Sequence, residues 1–213
     1  MKRQKLQKAV DISMIVSLPF LMAYSMIGEA AHEWLGAAML SLFAAHHVLN
    51  FRWFKAILRG KYSPARIFST AVDLLLCADI VCLAASGILL SRHMFALKPA
   101  MGLTAFARQG HMLGAYWGLV LMSLHLGTHG SVIVRRIAGK KLLVWAFRIC
   151  SLAASGYGII AFVSRKYADY MLMKTQFVFL NYSEPLFFFL LDQLAIIVMF
   201  AVIGYYIKRL IAK

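Results

Sequence analysis

Acidic residues and cysteines are scarce in this sequence, and charged residues of either sign are few. The 213 residues include 8 Asp and Glu against 23 Lys and Arg; 15% are charged and 62% are hydrophobic. Water-soluble domains have about a quarter of their residues charged, so this class is excluded. The three cysteines, Cys77, Cys82 and Cys150, lie inside apolar runs, which is not the pattern of a disulfide framework.

Motifs for nucleotides and iron–sulfur clusters are lacking as well. The sequence has no G-x-G-x-x-G, no Walker-type loop and no C-x-x-C pair. A formal charge of +15 could indicate a nucleic-acid-binding protein, but the basic residues stand in short clusters between apolar runs. That arrangement is typical of a polytopic membrane protein, and we expect no nucleic-acid partner.

Six stretches are long and apolar enough to cross a hydrocarbon core of about 30 Å as helices. We predict an all-α membrane protein with six transmembrane helices. Its spans cover residues 12–28, 34–51, 67–91, 109–134, 142–164 and 185–207. The first span has no small-residue cleavage site and is followed at once by the second, so it is not expected to be a removable signal peptide.

The distribution of Lys and Arg predicts how the spans are oriented. If the N-terminus is cytoplasmic, the segments on that side hold sixteen basic residues and the outer segments hold six. The sequence therefore predicts a multi-pass protein of the cytoplasmic membrane with both termini cytoplasmic. Residues 29–33 are expected to form an acidic external turn, residues 52–66 to lie along the inner interface, and residues 165–184 to cap the outer side.

Six of the seven histidines fall on or beside two of these spans, the second and the fourth. His32 and His46 are 14 residues apart, and so are His111 and His125. On an α-helix, two residues 14 positions apart differ by about 40° in direction and by about 21 Å along the axis. The two histidines of each span therefore lie on one face at two depths. Because both spans run outside to inside, His32 is expected to face His111, and His46 to face His125.

Two facing imidazoles at each of two depths are the geometry of two bis-histidine haems. A four-helix bundle supplies such side chains in its core, and the lack of C-x-x-C-H predicts non-covalent attachment, hence haem b. Glycines would let a flat porphyrin approach a helix, and arginines would bind its propionates. The further cofactor contacts expected are Gly36, Gly114 and Gly118, with Arg92 and Arg108 outside and Arg52 inside.

The remaining histidines leave alternatives open. His47 and His129 are alternative ligands, residues around a ligand histidine or a quinone, or plain packing residues, whereas His93 could replace His111 or bond to a propionate. The histidine set also allows a different function, a histidine-lined transporter or a proton or metal channel without haem. A membrane anchor whose histidines merely pack is a third reading. The inverted repeats and broken helices of transporters are not found.

Several motifs resemble the flavinylation-associated cytochrome family. They are GEAAHEWLG at 28–36, HHVLNFRW at 46–53, SGILLSRH at 86–93, and HMLGAYW at 111–117 with HLGTH at 125–129. The resemblance covers residues 6–135 and implies a small bacterial protein with a four-helix, two-haem core similar to that of respiratory cytochrome b. It implies His32, His46, His111 and His125 as axial ligands, and covalently flavinylated extracytosolic proteins as electron partners.

The sequence thus predicts a di-haem domain at 1–135 and, at 136–213, two additional transmembrane helices with an external interfacial segment. The expected function is electron transfer across the membrane, from quinol or a cytoplasmic-side donor to an extracytosolic flavinylated or other redox protein. Membrane lipid and a quinone are further expected partners. No catalytic residue is assigned. Because no nicotinamide-binding motif is visible, the chain is expected to be an electron-transfer subunit among several partners, and a role as the quinol-oxidising component of an oxidoreductase is left open.

Overall fold

The computed structural model describes residues 2–97, 100–175, 177–178 and 183–212. Lys98 and Lys213, which entered the orientation prediction, lie outside the described residues, as does part of the expected external segment 165–184. All regular structure in the described residues is helical, which confirms the predicted all-α class.

Helices follow one another along the described chain with short connections. They are α1 (Lys2–Met22), α2 (Tyr24–Ile27), α3 (Glu29–Leu49), α4 (Arg52–Ile57), α5 (Pro64–Leu90), α6 (Met101–Thr128), α7 (Gly130–Ile137), α8 (Lys141–Ser164), α9 (Tyr167–Met171) and α10 (Leu186–Ile211). The six long helices, α1, α3, α5, α6, α8 and α10, overlap the six predicted stretches, although α1 and α6 begin and end earlier than the first and the fourth stretch. The short helices extend or join them.

Four helical stretches among the described residues are long and apolar enough to cross a membrane. They are Pro64–Leu90, Met101–Ile137, Lys141–Ser164 and Leu186–Ile211. The helices α1 and α3 have 21 residues each, so their length suffices, but α1 has a strongly basic start and α3 carries two glutamates and three histidines. The structure therefore shows an all-helical chain with four candidate spans, while spans one and two remain a prediction.

Consecutive long helices run in opposite directions, so one end of the bundle collects the start of α1 and the ends of α3, α6 and α10. There Arg3 Nη2 and Gln7 Nε2 donate hydrogen bonds to the carbonyl of Leu49, at 2.7 and 3.1 Å. Lys208 Nζ donates to the carbonyl of Thr128 at 2.9 Å. We call this the basic end, and the end at which α3 begins the opposite end.

The bundle consists of two helical hairpins and a C-terminal pair of helices. The helix α1 packs on α3, and α5 packs on α6, while α10 packs between α6 and α8. The main apolar core, which includes Tyr116, Leu119, Tyr167 and Ile196, lies around α6 and α10. By contrast, no described residue of α3 is buried, and α3 makes few backbone contacts with the α5–α6 hairpin.

The connection between α1 and α3 differs from the prediction. Residues 29–33 are the first helical turn of α3 instead of an external turn, because Glu and Ala in this stretch favour helix over turn. The chain reverses before it, at Ala23 to Gly28, where Gly28 has φ of +86°. Only glycine adopts that region without strain, so Gly28 fixes the direction in which α3 leaves the turn.

Candidate functional site

The four histidines with the 14-residue spacing meet as two pairs between α3 and α6. The ring centroids of His32 and His111 are 6.1 Å apart, with the ring planes at 75°. Those of His46 and His125 are 6.5 Å apart, with the planes at 80°. The structure therefore brings together the pairs that the spacing predicts, the second pair near the basic end and the first nearer the opposite end.

These separations suit two imidazoles on opposite sides of one metal ion. A bond from imidazole nitrogen to a transition metal is about 2 Å, and the ring centroid lies about 1 Å behind the nitrogen, so two such ligands in line have centroids about 6 Å apart. Among the described residues, no hydrogen bond joins the two rings of either pair. The pairs are placed as ligands of a shared group would be, rather than as hydrogen-bonded neighbours.

Carboxylates hold both histidines of the pair near the basic end. His46 Nδ1 donates a hydrogen bond to Asp11 Oδ1 at 2.8 Å, and His125 Nδ1 donates to Asp73 Oδ1 at 2.7 Å. An ionised carboxylate can only accept, so each ring carries its proton on Nδ1. This leaves Nε2 as the nitrogen that can bind a metal, which is the usual arrangement around a metal-bound histidine.

A neutral environment surrounds the other pair. Ser86 Oγ donates to the carbonyl of Cys82 at 2.7 Å and lies 3.0 Å from His111 Nδ1. Because the hydroxyl has one hydrogen, Ser86 accepts from the Nδ1–H of His111 and fixes the same tautomer. The Nδ1 of His32 is buried without a hydrogen-bond partner. Gly87 leaves room for His111, since a Cβ there would lie 3.4 Å from its Cε1.

Glu33, the residue after His32, ties the start of α3 to the loop that follows α5. Its carboxylate accepts from Ser91 Oγ at 2.8 Å and from the backbone N–H groups of Arg92, His93 and Met94 at 2.8, 3.0 and 3.1 Å. Burial alone would raise the pKa of Glu33, but these hydrogen bonds lower it from 4.5 to about 2. This anchor fixes the position of α3, and with it His32, relative to α5.

The arginines expected to bind propionates are placed unequally. Arg92 makes an ion pair with Glu29 at 3.4 Å. Arg92 and Arg108 both lie close enough to Tyr24 for their charges to act on its hydroxyl, and the Tyr24 ring packs edge-on against His32 at 5.1 Å. These two arginines are thus near the His32 pair. Arg52 lies in a basic groove around α4 with Lys55, Arg59 and Arg66.

The glycines predicted to face a porphyrin have different surroundings. Gly36 is one turn after His32, and a Cβ there would meet nothing within 4 Å, so this position leaves space on the His32 face. Gly114 and Gly118 instead face α5, where an added Cβ would lie 3.1 and 2.5 Å from the carboxylate oxygens of Asp79. Their role is the close approach of α5 and α6, and the prediction for these two is corrected accordingly.

The alternative ligand histidines have other partners in the structure. His47 donates from Nδ1 to the carbonyl of Phe43 at 2.9 Å, and its Nε2 lies 3.4 Å from Cys77 Sγ, so both nitrogens are engaged. The ligand atoms of His93 lie within 4.8 Å of those of Glu29 and Glu33. His129 stays beside the site, with its ring centroid 4.9 Å from that of His125.

Sequence reasoning missed the partners that hold the histidine rings. Asp73 and Arg148 are each about seven residues from the inner ends of their predicted spans, which predicts an ion pair between them. In the structure Asp73 bonds to His125 instead, and Arg148 lies over the Trp145 ring at 5.7 Å. No pattern in the sequence marks Asp11 or Ser86 as a partner of a histidine. A signal existed for Asp73, because an acidic residue in a span needs a partner and His125 lies at a matching depth.

No protein-family model, curated protein or solved structure matches this chain. The resemblance of the motifs to the flavinylation-associated cytochromes therefore stays a prediction. What defines the molecule is its own architecture, an all-helical chain with four candidate membrane spans and two facing histidine pairs.

Proposed function

We propose that this protein is a b-type di-haem membrane cytochrome that carries electrons across the cytoplasmic membrane. The donor is quinol or a cytoplasmic-side reductant, and the acceptor is an extracytosolic redox protein, flavinylated as the resemblance implies. The proposal includes six spans with both termini in the cytoplasm. One observation carries it, the two opposed histidine pairs with ring centroids 6.1 and 6.5 Å apart.

The residues of this chain fit a haem at each pair. Each haem would supply a one-electron couple between ferric and ferrous iron. His32 with His111 and His46 with His125 would hold the iron through Nε2. Asp11, Asp73 and Ser86 hold the rings of three of the four by accepting from Nδ1–H.

The separation of α3 from α6 supports the proposal independently of the histidines. No described residue of α3 is buried, although α3 lies beside α1 and opposite α6 in the bundle. Gly36 keeps the His32 face of α3 free of a side chain, and Gly87 does the same beside His111. A flat macrocycle needs such small residues along the helices that it contacts. Arg92 and Arg108, close to Tyr24, supply positive charge near the His32 pair.

The first experiment is a cofactor assay on protein purified from cells with adequate haem supply. We expect two haem b and two irons per chain, with a reduced-minus-oxidised spectrum of a six-coordinate b-type cytochrome. A matched control is His93→Leu, which removes a histidine outside both pairs and should leave the haem content unchanged. Bound divalent metal without porphyrin would contradict the proposal and favour the histidine-lined channel.

A second experiment tests electron transfer across the membrane. The protein is reconstituted in vesicles that contain ferricyanide, and a quinol analogue is added outside. We expect ferricyanide reduction to depend on the protein and to be lost in a haem-deficient His125→Leu variant. Equal rates for the two proteins would show that the histidine pairs are not the route.

A further inference from the structure

A cavity of about 450 Å³ lies between α6, α7, α8 and α10, near the basic end. It is on the α10 side of α6, whereas the histidine pairs lie on the α3 side. Most of its wall is apolar, with Phe147, Ala154, Ile197 and Val202 among the lining residues. The volume is within the range of sites that bind small organic molecules, about 300–1,000 Å³.

Two arginines also line this cavity, Arg148 of α8 and Arg209 of α10. Neither makes an ion pair with a carboxylate among the described residues. The sequence explains why, because it has no acidic residue between Asp79 and Asp169 and none after Asp192. The helices α6, α7 and α8 thus offer the arginines no carboxylate, and Asp192 of α10 lies at the other end of that helix, paired with Arg165. Arg148 has a cation–π contact with Trp145, at 5.7 Å.

Arg148 lies within the predicted fifth span, where an unpaired arginine is costly, and Arg209 lies just after the predicted sixth span. An anion that contacts both would therefore stabilise the protein. Guanidinium groups bind phosphate oxygens with two parallel hydrogen bonds. The apolar wall next to the arginines suits a hydrocarbon chain. Basic pockets between membrane helices are known sites for anionic lipid headgroups. A neutral quinone would leave both charges without an anion, so the charge pattern favours a lipid.

We propose that this cavity binds one anionic phospholipid from the surrounding membrane. Its phosphate contacts Arg148 and Arg209, and one acyl chain lies along the wall formed by Phe147, Ala154 and Ile197. Because the arginines belong to α8 and α10, the lipid holds these two helices together at the basic end. This site is independent of haem and of the proposed electron transfer.

The test is native mass spectrometry of the purified full chain, titrated with phosphatidylglycerol or phosphatidylcholine, together with melting temperatures in nanodiscs of each lipid. We expect one phosphatidylglycerol per chain, bound at least tenfold more tightly than phosphatidylcholine, and a higher melting temperature in phosphatidylglycerol. In the double variant R148Q/R209Q, both preferences should be lost. The matched control R59Q/K61Q removes the same charge from the loop after α4 and should keep them.

A second variant separates the cavity from general surface charge. Ala154→Phe fills the apolar part and leaves both arginines in place, so it should also weaken phosphatidylglycerol binding about tenfold. If R148Q/R209Q does not fold, Ala154→Phe and the lipid preference of the unmodified protein decide the question. Any of three results would overturn the proposal: equal binding of the two lipids, tight binding of a quinone analogue in place of phosphatidylglycerol, or the same rise in melting temperature with inorganic phosphate alone.

Discussion

The histidine pair near the basic end and the pair nearer the opposite end have nearly the same ring separation, 6.5 and 6.1 Å, but different surroundings. Two carboxylates, Asp11 and Asp73, accept from the first pair. The second pair has only neutral partners, among them Ser86 and the backbone of Leu83 beside His111, and one Nδ1, that of His32, is buried without a partner. The same ligand geometry is therefore combined with different local charge, negative at the first pair and neutral at the second.

Under the proposed function, this difference predicts two haem sites of unequal reduction potential. A carboxylate on Nδ1–H makes the imidazole a stronger donor and stabilises the oxidised metal, so it lowers the reduction potential. Asp73 should matter more than Asp11, because their side chains are 12% and 45% exposed and water screens the more exposed charge. Lys208, whose charge acts on Asp73, offsets part of the effect. Within the proposed function, transfer from the basic end to the opposite end is then downhill, which agrees with an extracytosolic acceptor.

Removing one ligand from each pair should have the largest effect. His125→Leu and His111→Leu are each expected to lose one of two haems per chain, because a site with one remaining imidazole holds its haem poorly. The haem that remains should have the higher potential in His125→Leu and the lower potential in His111→Leu, as measured by redox titration of the optical spectrum. If both variants keep two haems, the histidine pairs are not the haem ligands. If the order of the two potentials is reversed, the carboxylates do not lower the potential of the His46–His125 site.

Replacing Asp73 with Asn should have the next largest effect. The amide oxygen still accepts from His125 Nδ1–H, while the negative charge is lost. The reduction potential of the His46–His125 site, expected to be the lower of the two, should therefore rise. A rise on the order of 60 mV corresponds to a tenfold change in a one-electron equilibrium. Asp192→Asn is the matched control, since it neutralises a carboxylate of similar burial that pairs with Arg165 instead of a histidine. Equal shifts in both variants would show that general charge is responsible.

The third test addresses the neutral pair. Ser86→Ala removes the hydroxyl that accepts from His111 Nδ1–H. It should shift only the reduction potential of the His32–His111 site, and by less than Asp73→Asn shifts that of the other site. Ser69→Ala is the control, because Ser69 lies on the same helix and its hydroxyl donates to the Ala65 carbonyl at 3.0 Å. A shift of the lower potential in Ser86→Ala would contradict the assignment of Ser86 to the His111 site.

The sequence was sufficient to predict the long helices and the histidine pairing, for a physical reason. Apolar runs of about 20 residues determine where helices lie, and helical periodicity relates residues within one helix. The 14-residue spacing in α3 and α6 therefore gave both pairs, once the two helices were taken as parallel. None of this required knowing how the helices rotate against one another.

Contacts that depend on rotation and packing could not be predicted in the same way. Depth alone matched Asp73 to Arg148, but the rotation of α5 turns Asp73 toward His125. Helical periodicity places Gly118 on the histidine face of α6, yet it is the position at which α5 approaches α6 through Asp79. The turn before α3 was misplaced because two glutamates within five residues suggest a solvent loop, although they also suit the first turn of a helix.

The smallest effect is expected from Glu33→Gln. This variant tests whether the Glu33 anchor positions the His32–His111 pair, which has no carboxylate partner. Gln offers one acceptor oxygen instead of two, so the anchor to the 91–94 loop should lose on the order of 1 kcal/mol of stability. Because the folded pKa of Glu33, about 2, is below its ordinary 4.5, its contribution is complete above pH 4.5 and is lost as the pH falls toward 2. The melting temperatures of the two proteins should therefore differ by a constant amount at neutral pH and converge below pH 4.5, with the spectrum of the His46–His125 site unchanged. A difference that persists at pH 2 would mean that the carboxylate is not what holds this loop to α3.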